Sequence, residues 1–168
     1  MTLSSNLFWG ALALGVVTGM RSMLAPTMVS RALAVRDDRD HLDEPARTLG
    51  LRRARQFLVP LAASELLGDK LPFAPDRTIP PSMLVRALSG AVSAAALANA
   101  RRESVWLPAL IGASAACVSA KIGLDLRKRY GSAGGMRNAA LGLTEDALAL
   151  AIGTAGLKRT LDPARSRR

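Results

Sequence analysis

Glu65, Asp69 and Lys70 stand at the end of an apolar run that begins at Phe57, and Glu145 and Asp146 stand near the start of a second, Ala139 to Leu157. Each acidic group follows a hydroxyl residue, Ser64 in the first run and Thr144 in the second. Glu65 and Asp69 are four apart, so on a helix both carboxylates share one face, where they could hold a cation or share a proton. Lys70 beside Asp69 can neutralise it at an interface. Glu145 and Asp146 project about 100° apart and cannot face one ligand equally. Arg21 and Arg127, each near the end of an apolar stretch, supply positive charge for an ion pair or for an anionic group. Glu65, Asp69 and Glu145 are the candidates for a metal, and carboxylate oxygens suit Mg²⁺. A bare charge at the centre of a bilayer costs about 2.5–3.5 kcal/mol, so these side chains carry weight if their segments are embedded.

Other chemistries find no residues. No Ser or Cys sits beside a plausible His base, and His41, the single histidine, lies in a charged loop. No glycine loop matches a phosphate-binding fingerprint, and no zinc spacing occurs. No catalytic residue is assigned, and no cofactor is expected beyond the Mg²⁺ option. Cys117, the one cysteine, excludes a disulfide within the chain and reads as a small buried hydrophobe. The net charge of +10 comes with only 4% aromatic residues. A nucleic-acid face needs recognition elements as well as charge, so nucleic acid is not an expected partner.

The elements that must position these residues are apolar and helical. Residues 1–20, 87–100 and 104–120 contain no charge at all. A soluble bundle would show polar faces at helical period, whereas these stretches offer only Ser, Thr and Asn. About 20 apolar residues span a bilayer. The expectation is an all-α, multi-pass membrane bundle in one domain over 1–168, with helical segments at about 5–29, 56–69, 83–100, 105–126 and 139–157. A charged cytoplasmic loop covers 30–55, prolines from Pro72 to Pro81 impose a turn, Gly131–Gly135 makes another, and 158–168 is a basic tail. Pro26 interrupts the first segment and Pro60 the second, so a broken or re-entrant helix is expected. No signal peptide is evident, so the first segment is expected to be retained. Gly15 and Gly19, then Gly90, Ala94 and Ala98, then Gly112, Ala116 and Ala120 form four-residue stripes that permit close helix contact in lipid.

Basic residues gather in the 30–55 loop, at Arg101–Arg102 and in the tail, which the positive-inside rule places in the cytoplasm. With five crossings this leaves the N-terminus outside. If the second and fifth segments only re-enter, almost all the charge falls on one side. Arg21 and Arg127 close comparable helices, and Ser64–Glu65 resembles Thr144–Glu145, which suggests an inverted repeat.

Gly19-Met20-Arg21-Ser22 with Ala25-Pro26, then Glu65-Leu66-Leu67-Gly68-Asp69-Lys70-Leu71-Pro72, Arg86 with Ser89-Gly90-Ala91, and Glu145-Asp146-Ala147-Leu148 resemble the bacterial integral membrane family named domain of unknown function 4126. The likeness spans roughly residues 7–157, and Glu-x-x-x-Asp-Lys-x-Pro is its specific element. It implies a small multi-helix protein of the inner membrane and supplies no catalytic residues.

The leading expectation is a transporter or channel for a small solute or ion, in which Arg21, Glu65, Asp69, Lys70, Glu145, Asp146 and Arg127 line a polar site. An alternative is an Mg²⁺-dependent membrane enzyme acting on a lipid phosphate. A third is a structural or assembly protein with its charges held in ion pairs. The lipid bilayer is the expected partner, with a homodimer favoured by the small-residue stripes.

Overall fold

The computed structural model describes residues 3–36, 38, 41–68, 80–130 and 135–161. Asp69, Lys70, the 72–79 turn, the 131–134 turn and the tail beyond Leu161 lie outside them, as does the side chain of Arg127. The described residues form seven helices and no strand: α1 (Ser5–Met20), α2 (Leu24–Ala34), α3 (Ala46–Gly50), α4 (Arg52–Gly68), α5 (Pro80–Ala100), α6 (Trp106–Tyr130) and α7 (Gly135–Leu161).

The expected first segment is two helices. Ser4 starts α1 by accepting the Leu7 N–H at 3.4 Å. Arg21 then takes extended backbone, φ −141° and ψ 108°, and ends it. Pro26 does not make the break; it lies in the first turn of α2, where its missing N–H costs nothing. Pro60, in contrast, is carried inside α4, which begins at Arg52 rather than near 56. The 30–55 stretch is not all loop either. Leu42, Ala46 and Leu49 are buried in the common core, and that burial folds α3.

The helix directions follow from neighbours along their length. On α7, Asp146 meets Arg21 while Thr160 meets Asn6, so α7 runs against α1. Met28 of α2 lies beside Gly153, which also touches Val17, so α2 folds back along α1 from the break. Thr27 lies near the Leu58 carbonyl and Ser22 near Glu65, so α4 runs against α2. Arg86 reaches Gly19 while Leu97 lies beside Gly10, so α5 also runs against α1. Gly112 and Ser119 of α6 track Gly15 and Gly19, so α6 runs with α1. Apart from the short α3, successive helices therefore alternate in direction. The start of α1, the 41–44 connection, Arg101–Glu103 and the end of α7 gather at one end. This corrects the expected topology: the extra return through α2 brings the N-terminus to the same end as the basic connections. The repeat pairing fails for the same reason, since α1 and α6 run alike whereas α4 and α7 run oppositely.

Helix α1 is the axis, packed by α5, α6 and α7, with α4 on the outside against α2 and α3. The small-residue stripes make this possible. A Cβ on Gly15 would lie 2.5 Å from the Gly112 carbonyl oxygen, and one on Gly90 would lie 2.6 Å from that same oxygen. Gly112 is thus where α1, α5 and α6 converge.

Many large apolar side chains are exposed on the outer surface. Phe57, Leu84, Trp106, Leu110, Ile122 and Leu148 are all more than half exposed. Two helices, over Pro81–Ala100 and Trp106–Leu126, are long and apolar enough to cross a membrane. Only 22% of the second stretch is buried, so it is not a helix hidden in a soluble core.

Candidate functional site

The charged side chains buried in this bundle, Arg21, Arg86 and Asp146, converge where α1 breaks into α2. Arg21 itself is 1% exposed, and its Nε donates to Asp146 Oδ1 of α7 at 2.7 Å. Glu65 of α4 approaches from the other side. Its Oε1 accepts the Ser22 N–H at 2.8 Å and the Ser22 hydroxyl at 2.7 Å, and its Oε2 accepts the Met23 N–H at 2.9 Å. Arg86 of α5, 5% exposed, donates from Nη1 to the Gly19 carbonyl at 3.2 Å.

Each charge has a local cause. A helix break leaves free carbonyls at the end of α1 and free N–H groups at the start of α2. The partial charges are negative at the first and positive at the second. A guanidinium therefore sits at the carbonyl end and a carboxylate at the N–H end, both delivered by other helices. Met23, at the cap position of α2, offers no side-chain oxygen, and Glu65 takes that role across the fold.

Depth can be read against α6. The Ser119 hydroxyl donates to the Val16 carbonyl at 3.1 Å, so the break lies near the level of residues 119–120. The apolar stretch of α6 continues to Leu126, about 10 Å further at 1.5 Å per residue. Ile122, Leu126 and Leu143 are exposed at and beyond that level. Lys121 and Asp125 are exposed over the same length, so the charged cluster lies toward one edge of the apolar belt.

Of the residues singled out in the sequence, Arg21, Glu65 and Asp146 come together at the break. Glu145 is half-buried beside Asp146 on α7, and Thr144 is exposed. Arg86 was not among the expected site residues. Its signal was available, since it is the single charge in the 80–100 stretch. Among the described residues no group of three His, Cys, Asp or Glu side chains is placed to hold a metal ion.

A second polar cluster ties the opposite end. Glu103 accepts from the Ser4 hydroxyl and from Arg101 Nε, both at 2.8 Å, and from the Ser4 N–H at 3.2 Å. Arg101 also donates to the Thr160 carbonyl at 2.8 Å, which caps the end of α7. Burial pushes the Glu103 carboxyl up, but the hydrogen bonds from Arg101 and Ser4 outweigh it and hold it below its ordinary value.

The chain matches no protein-family model, no curated protein and no solved structure.

Proposed function

We propose that this chain is a small integral membrane protein of the cytoplasmic membrane, in which all helices but α3 cross or re-enter the bilayer. It works as a transporter or channel for a small ion or solute. The observation that carries this is a broken helix, with four ionisable side chains around it, in a bundle that exposes large apolar side chains. Charges at membrane depth are expensive and mark ion and proton pathways. Discontinuous helices whose ends meet at depth are where many transporters build their sites. Among the described residues Glu65, Asp146 and the adjacent Glu145 outnumber Arg21 and Arg86, which favours a proton or small cation as the species handled.

The test is flux in proteoliposomes, read by an internal pH dye and by cation-sensitive dyes. Glu145→Gln is the informative variant, because Glu145 borders the cluster without capping the break. Loss of flux with unchanged thermal stability supports transport. Absence of any flux in the wild type, over protons, Na⁺ and K⁺, contradicts it.

One further reading has a specific observation behind it. Arg21, Glu65, Arg86 and Asp146 all find partners within the chain, as a structural or assembly protein would require. In that case the same changes lower stability and nothing else. The Mg²⁺-dependent enzyme has no comparable support, since Glu65 is engaged by three donors.

A further inference from the structure

Helix α6 presents two unlike sides. Gly112, Ala116 and Ser119 face inward, where they meet α1 and α5. At about 100° per residue, the opposite direction is occupied by Leu107, Leu110, Ser114, Val118, Lys121 and Asp125. All six are exposed. They follow one another in steps of three and four residues, the spacing of a seam between two packed helices. Trp106, Ile122 and Leu126 are exposed on the flanks of this seam, and all three are apolar. Every exposed polar side chain of α6 between Trp106 and Leu126 therefore lies on the seam. A face turned to lipid would carry none of them, because ionisable groups on spanning helices turn toward protein or water.

The two charges say which protein. Lys121 and Asp125 are one turn apart and opposite in sign, and among the described residues neither is in an ion pair. A lysine four residues before an acid is also the weaker order for a pair within one helix. Across a two-fold axis, whatever one copy offers the other returns. A second α6 lying parallel brings Lys121 of each copy toward Asp125 of the other, about 6 Å along the axis, which a lysine side chain can reach. Two pairs form and no charge is left over. Ser114, small and in the middle of the seam, lets the two backbones approach. The glycine stripes do not serve this contact, since Gly15, Gly90 and Gly112 are taken up by packing inside the chain.

We infer that the outward seam of α6 binds a second copy of this chain, parallel about a two-fold axis, with Lys121 of each copy paired to Asp125 of the other. This rests on the membrane reading above. The interface lies on the far side of α6 from α1 and its break.

The test is disulfide crosslinking of the full chain in carbonate-washed native membranes, in a Cys117→Ala background. Leu110→Cys, Ser114→Cys and Val118→Cys probe the seam, and Trp106→Cys, Ile122→Cys and Leu126→Cys probe its flanks. Val118 and Ile122 are 57% and 54% exposed, so exposure alone does not separate them. A disulfide needs Cα atoms within about 7 Å, so only the seam positions should give a product of twice the chain's mass. Sedimentation equilibrium in detergent then reads the charges. Lys121→Asp sets like charges against each other and should weaken the dimer on the order of five- to tenfold. Lys121→Asp/Asp125→Lys should restore it. Equal crosslinking on seam and flanks, no crosslinking at either, or a product of another mass would overturn the second copy as the occupant. A double variant no tighter than the single one would overturn the pairing of Lys121 with Asp125. A protein that stays in the washed membrane yet crosslinks nowhere loses only the dimer, whereas release by carbonate removes the membrane reading itself.

Discussion

Arg21, in the break between α1 and α2, donates to Asp146 of α7 at 2.7 Å, and both side chains are buried. The pair joins the axis helix to the last helix across 125 residues of sequence. It sits buried among packed helices, so neither charge has water to fall back on. Removing one partner of a buried pair costs about 3–5 kcal/mol, whereas replacing both with apolar groups is often nearly neutral. Arg21→Met and Asp146→Leu should each lower stability by that amount, and the double variant should recover most of it. Thermal unfolding of the purified variants as a double-mutant cycle measures this.

Glu65 is a helix cap supplied from another helix. Glu65→Gln keeps one acceptor for Ser22 but turns an N–H₂ group toward the Met23 N–H, so donor faces donor. The expected loss is about 1–3 kcal/mol, the cost of an unsatisfied buried group. Proteolysis or hydrogen exchange should show α2 opening first. Equal protection of α2 in both proteins would remove the capping role.

Two glycines should respond with opposite signs. Gly112→Ala pushes a methyl group onto the backbone of α5, and overpacking of this kind costs about 1–3 kcal/mol. Gly123→Ala meets nothing within 4 Å and should stabilise α6 by about 0.5–1 kcal/mol through backbone entropy. Urea or thermal midpoints in one detergent compare them directly.

The α5–α6 turn holds Arg102 at φ 58°, a left-handed conformation. Arg102 donates its N–H to the Asn99 carbonyl and Glu103 to the Ala98 carbonyl, the pattern that usually places glycine at this position. Arg102→Gly should therefore raise stability by about 1 kcal/mol, measured as a higher Tm.

Acid should loosen the end that carries the start of α1 and the end of α7. The Glu103 carboxyl is held below its ordinary value, so its contribution is complete above the unfolded-state pKa. That contribution is lost as pH falls through the lower folded-state value. Wild-type Tm should drop in this acidic window, and Glu103→Gln should flatten that part of the profile.

The small-residue stripes could be read directly, because Gly and Ala at four-residue spacing leave only one way for helices to approach so closely. Gly15, Gly19, Gly90 and Gly112 all lie at the contacts they suggest. The charged residues of the interior were legible for a similar reason: Arg21, Glu65 and Asp146 stand out against apolar neighbours. Their partners were not, since Ser22 and Met23 act through backbone N–H groups that no sequence pattern marks. The position of the break was also misread. Pro26 attracts attention, but a proline in a first helical turn begins a helix rather than ending one. That single misplacement hid α2, whose return puts the start of α1 at the same end of the bundle as Arg101 and Glu103.

The return of the chain through α2 is therefore the central claim, and sidedness tests it. In a Cys117→Ala background, Ser5→Cys, Ser104→Cys and Arg129→Cys would each be labelled with a membrane-impermeant maleimide in right-side-out and inverted vesicles. The account predicts that Ser5→Cys and Ser104→Cys label from the cytoplasmic side and Arg129→Cys from the opposite one. Labelling of Ser5→Cys and Ser104→Cys from opposite sides would contradict it.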